Sequence, residues 1–146
     1  MKISENTVIV EQFYNVAKHK VWSAITNVDE MRLWFFDNIP AYKAEVGFKT
    51  QFLIQVGKRK FTHLWEITEV IPEQKITYNW KYKEYPGDAF VTFELFEEEE
   101  KVRLRLTMVV TEDFPDHVPE FSWDSCSQGW KYFIIERLKD YLELGS

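Results

Sequence analysis

The sequence predicts an α+β fold. A curved antiparallel β-sheet of about six to seven strands wraps around one long C-terminal helix, and two short helices lie between the first and second strands. Three observations carry this reading. Period-two alternation runs through the middle of the chain, with Phe61, His63, Trp65 and Ile67 on one strand and Ile76, Tyr78, Trp80 and Tyr82 on the next. Helical spacing of apolar residues is confined to the two ends. Aromatic residues make up 17% of the 146-residue chain and gather on interior parities, with more ring bulk than a small core requires.

Thr7 to Tyr14 is β-branched and aromatic and reads as the first strand. From Lys18 to Thr26, Val21, Trp22 and Ile25 recur at helical spacing. Asp29 is a suitable N-cap for a second short helix reaching Phe36, and Pro40 closes that segment. Glu45 to Gly47 reads as a turn before a strand carrying Phe48, Phe52 and Ile54 to Val56. Gly57 to Lys60 is the next turn, and Lys58-Arg59-Lys60 marks its tip.

Strands follow from Phe61 to Val70 and from Lys75 to Tyr82, separated by Pro72-Glu73-Gln74. Tyr85 to Asp88 is a loop. Phe90 to Phe96 and Val102 to Thr111 form a hairpin whose tip, Glu97 to Glu100, is a run of solvated like charges. Arg103 and Arg105 share a side with Thr92 and Glu94, within reach of cross-strand pairing. Glu112 to Pro119 is a polar loop. From about Phe121 the period is helical again, with Trp130, Phe133, Ile134, Leu138, Tyr141 and Leu142 on one stripe.

The length fits one domain over residues 1–146, large enough for a substantial core. The net charge of −6 has no basic stripe to set against it, which argues against nucleic-acid binding. Cys126 is the single cysteine, so no internal disulfide forms. There is neither a signal-peptide core nor a membrane-length apolar run, and the expected compartment is cytoplasmic.

No catalytic residue, cofactor or metal ligand set is assigned. His19, His63 and His117 lack ligand spacing, and the loop acids Asp113, Asp116 and Asp124 do not fit a calcium loop. His63 shares an interior face with Trp65, which makes it either a contact for a ligand head group or a half-buried strand-end histidine. Glu69 has interior parity too, as a carboxylate in an apolar pocket or as a solvated group where parity slips beside Pro72. Cys126 has no evident activating neighbour and reads as a small buried residue.

The rings point instead to an apolar cavity. The candidate walls on the sheet are Trp65, Tyr78, Trp80, Phe93, Leu104 and Leu106, and those on the last helix are Trp130, Phe133 and Ile134. His63 and Tyr78 are the candidate polar contacts. Trp34, Phe35 and Phe36 suit a pocket rim or a dimer contact, so both monomer and homodimer stay open.

Four ordered segments resemble one family. They are Val21-Trp22-Ser23-Ala24-Ile25-Thr26-Asn27 with the following Met31 to Phe35; Trp65 to Pro72 leading into Lys75 to Trp80; the hairpin Phe90 to Phe96 with Val102 to Thr111; and Gly129-Trp130 leading to Leu138 to Glu143. Together they are similar to the START-like, helix-grip superfamily, and within it to the family of activators of heat-shock protein 90 ATPase. The resemblance implies a deep apolar cavity between sheet and helix. Members of the superfamily bind lipids, sterols, polyketides or plant hormones, and a few are cyclases or hydrolases. The function expected is therefore binding of a small hydrophobic or amphipathic ligand. The alternatives are a stress-response module docking on a chaperone or another protein, and a cofactor-free enzyme using Glu69 or His63. The eukaryotic activator carries a separate chaperone-binding domain, for which this chain leaves no room.

Overall fold

The alternating segments become six strands in the computed structural model, which describes residues 1–145. They are β1 (Val8–Tyr14), β2 (Lys49–Val56), β3 (Arg59–Ile71), β4 (Lys75–Tyr82), β5 (Asp88–Glu98) and β6 (Lys101–Glu112). All neighbours pair antiparallel in the order β1-β6-β5-β4-β3-β2. Consecutive strands from β2 to β6 are joined by short turns, and β1 returns to lie beside β6.

Helices α1 (Lys18–Thr26) and α2 (Val28–Trp34) connect β1 to β2. Asn27, not Asp29, caps α2, its side chain accepting the Glu30 N–H at 3.2 Å. Asp29 sits in the first turn instead, where its charge suits the positive end of the helix. The helix ends at Trp34 rather than Phe36, so Phe35 and Phe36 enter the irregular chain beyond it.

The last helix, α3, is α-helical over Trp123–Lys131 and π-helical over Tyr132–Arg137. It continues through Leu138–Asp140 to a second π-helical stretch, Tyr141–Gly145. A single turn of 3₁₀ helix, Pro119–Phe121, leads into it, and Ser122 caps it by accepting the Ser125 N–H at 3.1 Å. Ser127, Trp130, Ile134, Leu138 and Leu142 form its buried stripe. No helix among the described residues is long and apolar enough to cross a membrane.

Register sorts the interior into two zones. Toward β5 and β6 the rows are largely aliphatic, for example Leu95 beside Leu104 and Leu106 beside Val10. Toward β2, β3 and β4 they are aromatic: Phe52 faces His63, His63 faces Tyr82, and Trp65 faces Trp80. Ala89, opposite Trp80 on β5, has only a methyl group to place there. Trp130 of α3 packs 5.3 Å from the Trp80 ring.

The outer face is polar. Arg103 pairs with Glu11 and Glu98, and Arg105 with Glu11, tying β1 to β6. Both guanidinium groups also lie over the Phe96 ring, at 4.4 and 5.1 Å. Glu94 does stand opposite Arg105 in register, but Glu11 takes the ion pair.

Glu69 lies outside. The register slips between Ile67 and Glu69, leaving Thr68 as an extra residue, and this bulge reverses the parity of the strand beyond it. Glu69 is exposed and pairs with Lys75 at 3.0 Å, while Val70 turns inward. The slip removes Glu69 from any role as an acid or base beneath the helix.

Candidate functional site

The end of α2 delivers two phenylalanines into the space between sheet and α3. Phe35 is enclosed and central. Its ring lies 4.7 Å from Trp34, 5.6 Å from Trp65, 5.8 Å from Trp130 and 4.9 Å from Phe133. Phe36 is half-buried, 5.0 Å from the His63 ring and 5.2 Å from Phe133. Trp34 is fully buried, its indole N–H donating to the Ala24 carbonyl at 2.8 Å, so it tethers α2 to α1 and meets no solvent.

Beside these rings an apolar cleft of about 120 Å³ opens to solvent. Phe36, His63, Trp80, Tyr82 and Met108 form its floor and sides, and Cys126, Gly129, Trp130 and Phe133 of α3 form its roof. A depression of about 310 Å³ on the opposite face of the sheet is larger, but polar side chains line it, among them Lys49, Gln51, Glu66, Asn79 and Lys81. Volume alone does not make a binding site. Small-molecule sites typically combine converging rings with a few polar atoms, and the smaller cleft has that lining.

Its polar groups are held in defined states. The His63 Nδ1 lies 3.0 Å from the Phe61 carbonyl oxygen, which can only accept, so Nδ1 carries the proton. The Nε2 is left as an acceptor. Burial drives the His63 pKa down to about 4, so the ring is neutral at pH 7. The Trp80 indole donates to the Tyr82 hydroxyl at 2.8 Å, and burial raises the Tyr82 pKa. Burial pushes the Cys126 thiol up to about 12, so it is an uncharged apolar wall rather than a nucleophile. The Trp130 N–H points to the Met108 sulfur at 3.3 Å.

Of the residues expected from sequence as walls or polar contacts, His63, Trp80, Trp130 and Phe133 meet at the cleft. Trp65, Tyr78, Phe93, Leu104, Leu106 and Ile134 are buried in the core behind it. The resemblance implies a deeper cavity than this, and Phe35 and Phe36 occupy much of the space. Tyr82, Met108, Cys126 and Gly129 line the cleft without the sequence marking them as walls. Cys126, Gly129, Trp130 and Phe133 fall at i, i+3, i+4 and i+7, so the helical face itself was readable. Met108 shares the parity of Leu104 and Leu106. Among the described residues no cluster of His, Cys, Asp or Glu is arranged to hold a metal.

A family model described as "Activator of Hsp90 ATPase homolog 1-like protein" matches residues 15–143. No curated protein matches the sequence significantly. Among solved structures, DynU16 from the dynemicin biosynthetic locus is similar at 21% identity and TM-score 0.77; the match covers 97% of this chain and 49% of that one, so the chain spans about half its length. Protein MLL2253 from Mesorhizobium loti is similar at 23% identity and TM-score 0.76, over 97% and 99% of the two chains. The Aha1 dimer from Colwellia psychrerythraea is similar at 19% identity and TM-score 0.74, over 97% and 99%. What these share with the chain is the fold, a curved sheet gripping a C-terminal helix.

Proposed function

The chain belongs to the Activator of Hsp90 ATPase homolog 1-like family, and from that premise we propose that it binds a small hydrophobic or amphipathic molecule in the cleft between the sheet and α3. The observation that carries the reading is the lining. Phe36, Trp80, Tyr82, Trp130 and Phe133 converge around open space, with one neutral histidine among them. Enclosing an apolar ligand there gains roughly 25 cal/mol per Å² of apolar surface removed from water. His63 Nε2 accepts a hydrogen bond from the ligand and orients it.

His63, Trp80, Trp130 and Phe133 make direct contact in this reading. Trp65, Tyr78, Phe93, Leu104, Leu106 and Ile134 form the layer behind, reached once the α2-end phenylalanines move. Binding rather than turnover fits the chemistry of the cleft, since Cys126 is held protonated and His63 is a weak base.

The test compares native and denatured mass spectra of the purified protein. The expected result is a retained adduct of small-molecule mass that His63→Ala or Gly129→Leu weakens. A bare native mass, together with no thermal shift against a panel of lipids and aromatic metabolites, overturns the reading.

A further inference from the structure

Three buried hydrogen-bonding atoms have no partner among the described residues: Tyr42 Oη, Tyr78 Oη and Trp65 Nε1. Their side chains are 6%, 1% and 2% exposed, so bulk water does not serve them. They also form one group. The Tyr42 ring lies 6.3 Å from Trp65 and 6.1 Å from Tyr78, and Trp65 and Tyr78 are 4.9 Å apart. Buried polar atoms are almost always paired, and leaving one unpaired costs stability. Three together in an aromatic cluster mark a place where a polar atom from outside the chain belongs.

The chemistry of the three narrows what that atom is. An indole N–H only donates, and each phenol hydroxyl has a hydrogen to give. Their common complement is an acceptor oxygen, whose two lone pairs serve two of the three donors at once. A carboxylate or phosphate does not fit. Burial holds both hydroxyls in their neutral form, and the same enclosure disfavours any charge brought beside them. The acceptor is neutral.

Phe35 connects this trio to the cleft. Its ring stacks on Trp65 at 5.6 Å and 20°, and it also touches the cleft-lining rings of Trp130 and Phe133 at 5.8 and 4.9 Å. It lies just past the last turn of α2, outside any strand. A flat ring taking its place would keep the same stacking partners.

We propose that the ligand of this cleft is a neutral, flat, largely apolar molecule bearing a carbonyl-type oxygen, which takes the place of the Phe35 ring and sets that oxygen among Tyr42, Trp65 and Tyr78. This rests on the cleft being a ligand site, and it names the class of ligand.

The test uses the whole protein and two probes of nearly equal shape, 1-indanone and indane, which differ by a carbonyl in place of a methylene. The expected result is at least tenfold tighter binding of 1-indanone, with the Trp65 indole N–H resonance moving downfield only for that probe. Tyr78→Phe is expected to reduce the preference toward unity. It should also leave the ligand-free protein as stable as before or more so, because the hydroxyl it removes is unpaired. Equal binding of both probes overturns the proposal and leaves the cleft as a ligand site. Binding of neither overturns both. If Tyr78→Phe does not fold, the indole resonance of the unaltered protein, assigned through Trp65→Phe, decides alone.

Discussion

Tyr14, the last residue of β1, donates its hydroxyl hydrogen to the main-chain carbonyl of Ile134 at 2.6 Å. The accepting carbonyl lies in the π-helical part of α3, and both groups are buried. One side chain thus pins the sheet edge to the stretch of helix that roofs the cleft. Tyr14→Phe leaves that carbonyl without this partner and is expected to cost about 1–3 kcal/mol. A chemical-denaturation midpoint unchanged from the parent protein refutes this.

Gly129 sits inside α3, where glycine is about 1 kcal/mol worse than alanine. A Cβ there would meet no atom within 4 Å beyond its chain neighbours and the backbone of its own helix. Gly129→Ala is expected to raise stability by about 0.5–1 kcal/mol. Gly129→Leu projects further into the cleft and is expected to weaken ligand uptake while the protein stays folded. Circular dichroism and the binding assay, run side by side, separate the two effects.

His63 titrates against folding. Its folded pKa is about 4, below the ordinary 6.5, because burial disfavours the cation. Between pH 6.5 and 4 the unfolded chain binds the proton and the folded chain does not. Stability is therefore lost as pH falls through that window and levels off below it. The full loss is about 3 kcal/mol. His63→Phe is expected to flatten this part of the pH profile, and Glu84, the charged group that acts on His63, remains in both proteins. Parallel profiles for the two proteins would rule out the assignment.

Gly87 has φ +122°, and a Cβ there would come 2.2 Å from the Phe114 ring. Phe114 packs against Phe121 at 5.2 Å, just before α3. Gly87→Ala incurs both the backbone strain and the clash, and about 2–5 kcal/mol of destabilisation is expected. A melting temperature equal to the parent's contradicts this.

The strands were legible because their interior residues alternate with little interruption, from Phe61 to Ile67 and from Ile76 to Tyr82. Parity failed at Glu69 because a single extra residue, Thr68, reverses it, and no residue type announces a bulge. Asn27 and Asp29 are both good caps two positions apart, so the start of α2 was ambiguous by composition. Phe36 was legible only as rim or dimer contact, for another reason: the chain beyond α2 has no period, and its direction is set by packing on Trp65 and Phe133. The depth of the cavity was likewise illegible, since nothing local tells whether a ring fills a space or borders it.

The tryptophans give the molecule an optical signature. Trp65, Trp80 and Trp130 follow one another at 5.1 and 5.3 Å, close enough for their excited states to couple. Trp22 and Trp123 stand apart, on the half-buried periphery. Two of the coupled rings, Trp80 and Trp130, also line the cleft. Any occupant changes their surroundings directly, so near-ultraviolet dichroism and emission colour register filling of the cleft without a dye or a label.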